Sequence, residues 1–134
     1  MFNGDICNNI FIHPKDCWKV AFSTPFSLYE HTVMFFGLFN SPATFQAYMN
    51  HTFHNFIDEG WLIIYMDNIL IHSSNDLTLH QECTHHIFQH LCKEWLALKL
   101  SKCAFNTTKV KYLGLLISPG SIKMDSTKLE AIKN

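Results

Sequence analysis

The stretch WLIIYMDNILIH, Trp61 to His72, limits most what this chain can become. Two runs rich in Ile and Leu flank one polar pair, Asp67 and Asn68. Runs with β-branched and aromatic residues favour strands, and an Asp-Asn pair tolerates turn geometry. The stretch therefore reads as a β-hairpin with Asp67 at or next to its tip. An aspartate between apolar runs is costly unless it is solvated or paired. Two explanations are open: ordinary turn chemistry, or a rigidly aimed carboxylate that ligates a hard cation such as Mg²⁺, which prefers oxygen ligands.

The flanking sequence supplies helices. In SPATFQAYMNHTFHNFIDEG, Ser41 reads as the N-cap and Pro42 as the first helical residue. Phe45, Tyr48, Met49, Phe53, Phe56 and Ile57 recur at helical spacing, and Gly60 reads as the stop. A second long helix follows the hairpin, with Cys83, Ile87, Leu91 and Trp95 on one stripe and Phe88 beside them. Ahead of both, Ile10 to His13 and Lys19 to Thr24 read as short strands. After them, VKYLGLLISPGSIKMD reads as a hairpin turning at Pro119-Gly120, and Asp125 or Ser126 caps a final helix. Strands, helix, hairpin, helix, hairpin is an α+β order with an antiparallel sheet backed by two long helices.

Composition narrows the function classes. At 134 residues there is room for one domain. No apolar run approaches the roughly 18 residues of a membrane span, and the N-terminus lacks a secretory pattern, so an intracellular location without membrane contact is expected. The five cysteines (Cys7, Cys17, Cys83, Cys92, Cys103) form no CxxC and read as reduced. The chain contains no arginine, and its ten basic residues are all lysines. From Lys93 onward eight lysines face three acids, +5, whereas the earlier part carries two lysines against eight acids, −6. A basic C-terminal third suits phosphates, although without the bidentate arginine fork.

VMFFGLFNSPATFQAYMN, YMDNILIHS, LHQE, LKLSKCAF, VKYLGLLIS and GSIKMD occur in that order. Together they resemble the reverse transcriptase of long-terminal-repeat retrotransposons of the gypsy class, especially fungal-type copies. The resemblance covers nearly the whole chain. It implies a single partial domain over residues 1–134, a polymerase palm with the fingers, thumb, connection and ribonuclease H regions missing. It also implies two-metal, template-directed addition of deoxynucleotides to a primer 3′ end, with Mg²⁺ as cofactor. The implied partners are an RNA or DNA template–primer, dNTPs and the remaining polyprotein domains of intact copies. Carried over by position, Asp67 is the catalytic metal ligand and Asn68 stands at a degenerate catalytic position. Lys102 lies near the nucleotide phosphates. Gly37, Ser41, Pro42, Gln46, Tyr65 and Met66 lie along nucleotide and template, and Tyr112, Leu113 and Gly114 lie at the primer end.

The resemblance fails at two places. The family's hairpin reads Y-x-D-D, and here the last carboxylate is an amide, Asn68. The family's upstream aspartate falls at Phe2, with Cys7 where an aromatic that excludes a ribose 2′-hydroxyl belongs. Asp5 is three residues out of register, which in a strand is about 10 Å and the opposite face. The implied copy is truncated and degenerate, with very weak or no polymerase activity. Three competing readings remain. One is a non-enzymatic nucleic-acid-binding remnant using Lys99, Lys102, Lys109, Lys111 and Lys123. Another is a helix binding metal through Cys83, His86 and His90, with His85 adjacent. The third is a relic that barely folds.

Overall fold

The computed structural model describes residues 10–35, 37–73 and 76–125. The upstream positions Phe2, Asp5 and Cys7, and the helix expected after Asp125, lie outside these residues.

Pro14 starts a 3-10 helix, Pro14–Val20, capped by the His13 ring, whose Nδ1 accepts from the Lys15 N–H. The segment expected to be a strand from Lys19 is therefore helical to Val20. It becomes extended only in β1, Ala21–Ser23, which pairs with β2, Leu28–Glu30. The strand expected around Ile10 to His13 reduces to an isolated bridge, Phe11 to Val33. A proline at the first turn of a helix loses no hydrogen bond that the helix needs, and Pro14 was the signal for this.

Helix α1 spans Ser41–Thr52 and α2 spans His54–Asp58. The single helix expected up to Gly60 is thus broken at Phe53 (φ −110°, ψ 17°). Ser41 is not the cap either. Asn40 holds that position, while Ser41 is 2% exposed and its Oγ donates to the Phe35 carbonyl at 3.0 Å. The apolar stripe survives the break: Phe45, Met49 and Phe53 are buried, with Tyr48, Phe56 and Ile57 packed against them.

Strands β3, Leu62–Tyr65, and β4, Asn68–Ile71, form the expected hairpin, with Tyr65 opposite Asn68. Helix α3 spans Leu77–Lys93, capped by Asp76, whose Oδ1 accepts from the Thr78 and Leu79 N–H groups. Ile87 and Leu91 are buried on it, but Trp95 is not on the stripe. It lies past the helix end at φ 57° and is 88% exposed. Leu96 N–H reaches back to the Leu91 carbonyl, a stop geometry that glycine normally supplies.

The last segment makes a meander where one hairpin was expected: β5, Val110–Tyr112, β6, Leu115–Ser118, and β7, Ser121–Met124. The extra turn is Leu113-Gly114, left-handed at both residues (φ 51° and 78°), and Gly114 was its sequence signal. Among the described residues the strands make three separate small sheets where one was expected. Each strand is three or four residues long and pairs only with its sequence neighbour. The core packs one of these sheets against the helices: Met34, Phe45, Met49, Phe53, Leu62, Ile87, Leu91 and Leu96 form one buried cluster, to which the β3–β4 hairpin contributes and, among the described residues, β1–β2 and the meander do not.

Candidate active site

The β3–β4 hairpin closes through a two-residue turn, Met66-Asp67. Met66 is left-handed at φ 54° and Asp67 is not. This is the sign pattern of a type II′ turn, whose first position glycine usually fills. A non-glycine residue there costs about 1–3 kcal/mol and persists only when its surroundings hold it.

Gln46 on α1 supplies that hold. Its Oε1 accepts from the Met66 N–H at 2.6 Å, and its Nε2 donates to the Ile64 carbonyl at 3.3 Å and to Asn50 Oδ1 at 2.8 Å. Both ends of its amide are spent, chiefly on the backbone either side of the tip. Sequence reasoning singled out Gln46 as a contact to ligand and missed this role, because its partners lie 18 and 20 residues away.

The tip itself carries one carboxylate. Asp67 Oδ1 accepts from Asn68 Nδ2 at 3.3 Å. The Tyr112 hydroxyl, from the meander, donates to the Asn68 carbonyl at 3.4 Å and so ties the two hairpins together without a backbone ladder. Asn68, Lys102 and Tyr112 all line one cleft of about 550 Å³, between β4, α3 and residues 98–112. Three positions picked from separate stretches of sequence thus line one cleft. Its floor is apolar, with Ile87, Phe88 and Leu91, and its rim carries Lys102, Lys109 and Lys111. Lys111 also pairs with Asp125 at 3.0 Å.

Other expected site residues sit apart from this cleft's lining. Gly37 is exposed in a left-handed turn (φ 108°), and Pro42 is exposed on the first turn of α1. Leu113 and Gly114 form the meander's first turn, and the Gly114 carbonyl accepts from the Asp125 N–H at 2.9 Å. The His/Cys stripe of α3 is used differently from a metal site. His90 Nε2–H donates to the Thr52 carbonyl at 2.8 Å, and His85 meets Gln89 on the same helix. Among the described residues no group of three or more His, Cys, Asp or Glu side chains is placed to hold a metal ion. Lys99, Lys102, Lys109, Lys111 and Lys123 are all exposed. No helix among the described residues is long and apolar enough to cross a membrane.

Three groups are shifted by burial. The Cys83 thiol is pushed up, mainly by burial and then by the Glu82 carboxylate. The Tyr112 phenol is pushed up by burial against an opposing backbone contact from Tyr65, and Tyr48 also rises through burial. In each case the unfolded chain gives up its proton first, so folding stability is whole below the ordinary value and drains away above it. The melting temperature is expected to hold steady through neutral pH. It then falls from near pH 9.0, the ordinary thiol value, and falls faster past 10.0, the ordinary phenol value. Circular dichroism melts from pH 7 upward check this, and Cys83→Ser should remove the earliest part of the fall. A melting temperature that rises across that range contradicts the assignment.

Comparison with known proteins bears directly on this geometry. The family model described as reverse transcriptase (RNA-dependent DNA polymerase) matches residues 5–117. The retrovirus-related Pol polyprotein from transposon 297 of Drosophila melanogaster is 39% identical over 114 residues, 85% of this chain and 11% of that protein. The Tf2-7 transposon polyprotein of Schizosaccharomyces pombe is 35% identical over 109 residues, 81% of this chain and 8% of that protein. The chain thus spans about a tenth of the length of these curated relatives. Among solved structures, the foamy viral protease-reverse transcriptase in complex with dsDNA matches 92% of this chain and 25% of its own, with a TM-score of 0.79 at 24% identity. A foamy viral protease-reverse transcriptase in complex with RNA/DNA hybrid matches 97% of this chain and 18% of its own, with a TM-score of 0.77 at 25% identity.

Proposed function

This chain belongs to the reverse transcriptase family, and on that footing we propose that it is the palm portion of a retrotransposon polymerase, of the gypsy class, that aims the Met66-Asp67 turn at a primer 3′ end. The observation that carries this is the shared cleft, lined by Asn68 from the catalytic hairpin, Lys102 and the primer-side Tyr112. In this reading the partners are an RNA or DNA template–primer and dNTPs, within a longer polyprotein. Lys102 offers positive charge to the leaving pyrophosphate. Tyr112, Leu113 and Gly114 meet the primer. Gly37, Pro42, Tyr65 and Met66 face nucleotide and template, Gln46 serves that side through the turn it holds, and Ser41, buried with its Oγ on the Phe35 carbonyl, serves it by holding the start of α1.

The family works with divalent metal ions, and Mg²⁺, which prefers oxygen ligands, is the ion a tip carboxylate would take. Among the described residues the donor set does not fit a two-ion site. Such sites hold ions roughly 3.5–4 Å apart between several carboxylates, whereas this tip has Asp67 alone with an amide N–H turned toward it. No step through the metal is therefore assigned to this chain, and its unaided polymerase activity is very weak or nil.

Primer extension with labelled DNA/DNA and RNA/DNA duplexes, in Mg²⁺ or Mn²⁺, tests both parts. The expected result is duplex binding that weakens as salt rises, with no product beyond the primer. Extension by the unmodified chain overturns the inactivity. Absence of binding at low salt overturns the nucleic-acid reading.

A further inference from the structure

Asn68 does more than lack a charge. An amide has one oxygen that can ligate a cation and one NH₂ that can only donate, and here the NH₂ points at Asp67 Oδ1. The residue is also held from two other sides. Its backbone pairs with Tyr65 across the hairpin, and its carbonyl accepts from the Tyr112 hydroxyl. The neighbouring turn at Met66 is left-handed and latched by Gln46, so the tip has little freedom to reorient. We infer that the Asn68 amide takes the place of a cation at the hairpin tip, so that the Asp67 carboxylate is satisfied from within and the turn stays closed without divalent metal. This rests on reading the hairpin as a polymerase's catalytic turn, and it adds that the substitution replaces the ion's structural contribution as well as weakening its binding.

The consequence is a change in what the fold needs. Asn68→Asp sets two carboxylates side by side, and like charges in contact favour loosening of the turn or capture of a cation. Asn68→Ala frees Asp67 Oδ1 without adding charge. The full-length chain and both variants are melted by circular dichroism in EDTA and in Mn²⁺, and free Mn²⁺ is followed by electron paramagnetic resonance. The unmodified chain should melt at the same temperature in both buffers. Asn68→Asp should melt about 3–6 °C lower in EDTA, recover in Mn²⁺, and bind the ion at least about tenfold more tightly, as added ligand charge dictates. Asn68→Ala should bind Mn²⁺ more tightly than the unmodified chain, and it carries the test if Asn68→Asp does not fold. Equal Mn²⁺ affinity in the unmodified chain and Asn68→Ala, or an Asn68→Asp melt in EDTA that matches the parent, overturns the inference. Duplex binding measured by fluorescence anisotropy reports separately on the polymerase reading, because it needs no ion at the tip.

Discussion

Phe53→Ala is expected to destabilise the chain by about 3–5 kcal/mol, a large part of the roughly 5–15 kcal/mol that holds a domain folded. Phe53 is fully buried at the joint between α1 and α2. Its N–H still reaches the Met49 carbonyl at 3.0 Å, so the joint keeps one turn of helix hydrogen bonding while redirecting the chain. Its ring lies 5.0 Å from His90 and 6.3 Å from Phe56, centre to centre. Removing it opens a cavity beside the Thr52 carbonyl to which His90 donates, so the loss reaches the packing of α3 as well. Urea unfolding followed by circular dichroism gives the number. A loss below about 1 kcal/mol, in the range of ordinary surface changes, would mean that the break is not the keystone its burial implies.

The second large effect falls on the tip. Gln46→Leu keeps the side chain's bulk but leaves the Met66 N–H without its acceptor and the Ile64 carbonyl without its donor. An orphaned, partly buried backbone group costs about 1–3 kcal/mol, and the left-handed Met66 then loses its only hydrogen-bonded latch to α1 among the described residues. Hydrogen exchange at the Met66 amide should speed up by about ten- to a hundredfold, since each 1.4 kcal/mol is a factor of ten, while amides of α3 change less. Gln46→Glu keeps an oxygen at the Met66 N–H and should preserve most of that protection. If Gln46→Leu and Gln46→Glu exchange alike, the bond to Met66 is not what fixes the turn.

The hairpin was legible in the sequence because one polar pair interrupts two apolar runs, which leaves a single place for the turn. The core face of α1 was legible for a similar reason: Phe45, Met49 and Phe53 keep helical spacing. The break at Phe53 was not, because neither glycine nor proline marks it and the apolar pattern runs straight across it. Trp95 misled in the same way. It continues the four-residue spacing of Cys83, Ile87 and Leu91 but lies beyond a helix end that no glycine announces. Within the site, local pattern put Asp67 at the hairpin tip but left turn chemistry and metal ligation open, and the family resemblance is what singled out Asp67 and Asn68. The Gln46 latch and the Tyr112 bridge could not be read from either, since each depends on tertiary packing that brings together residues 20 and 44 positions apart.

Among the described residues each strand pairs with its immediate neighbour in sequence, and this has a kinetic meaning. Each ladder closes over a short loop, whose entropic cost is small, and contacts local in sequence form quickly. Four hairpin closures can therefore precede any meeting of α1 with α3, and none has to wait for residues far along the chain. For a segment matching about a tenth of its curated relatives' polyproteins, this wiring lets the strand pairs assemble during synthesis, with the helices drawn together around Phe53 and Leu62 afterwards.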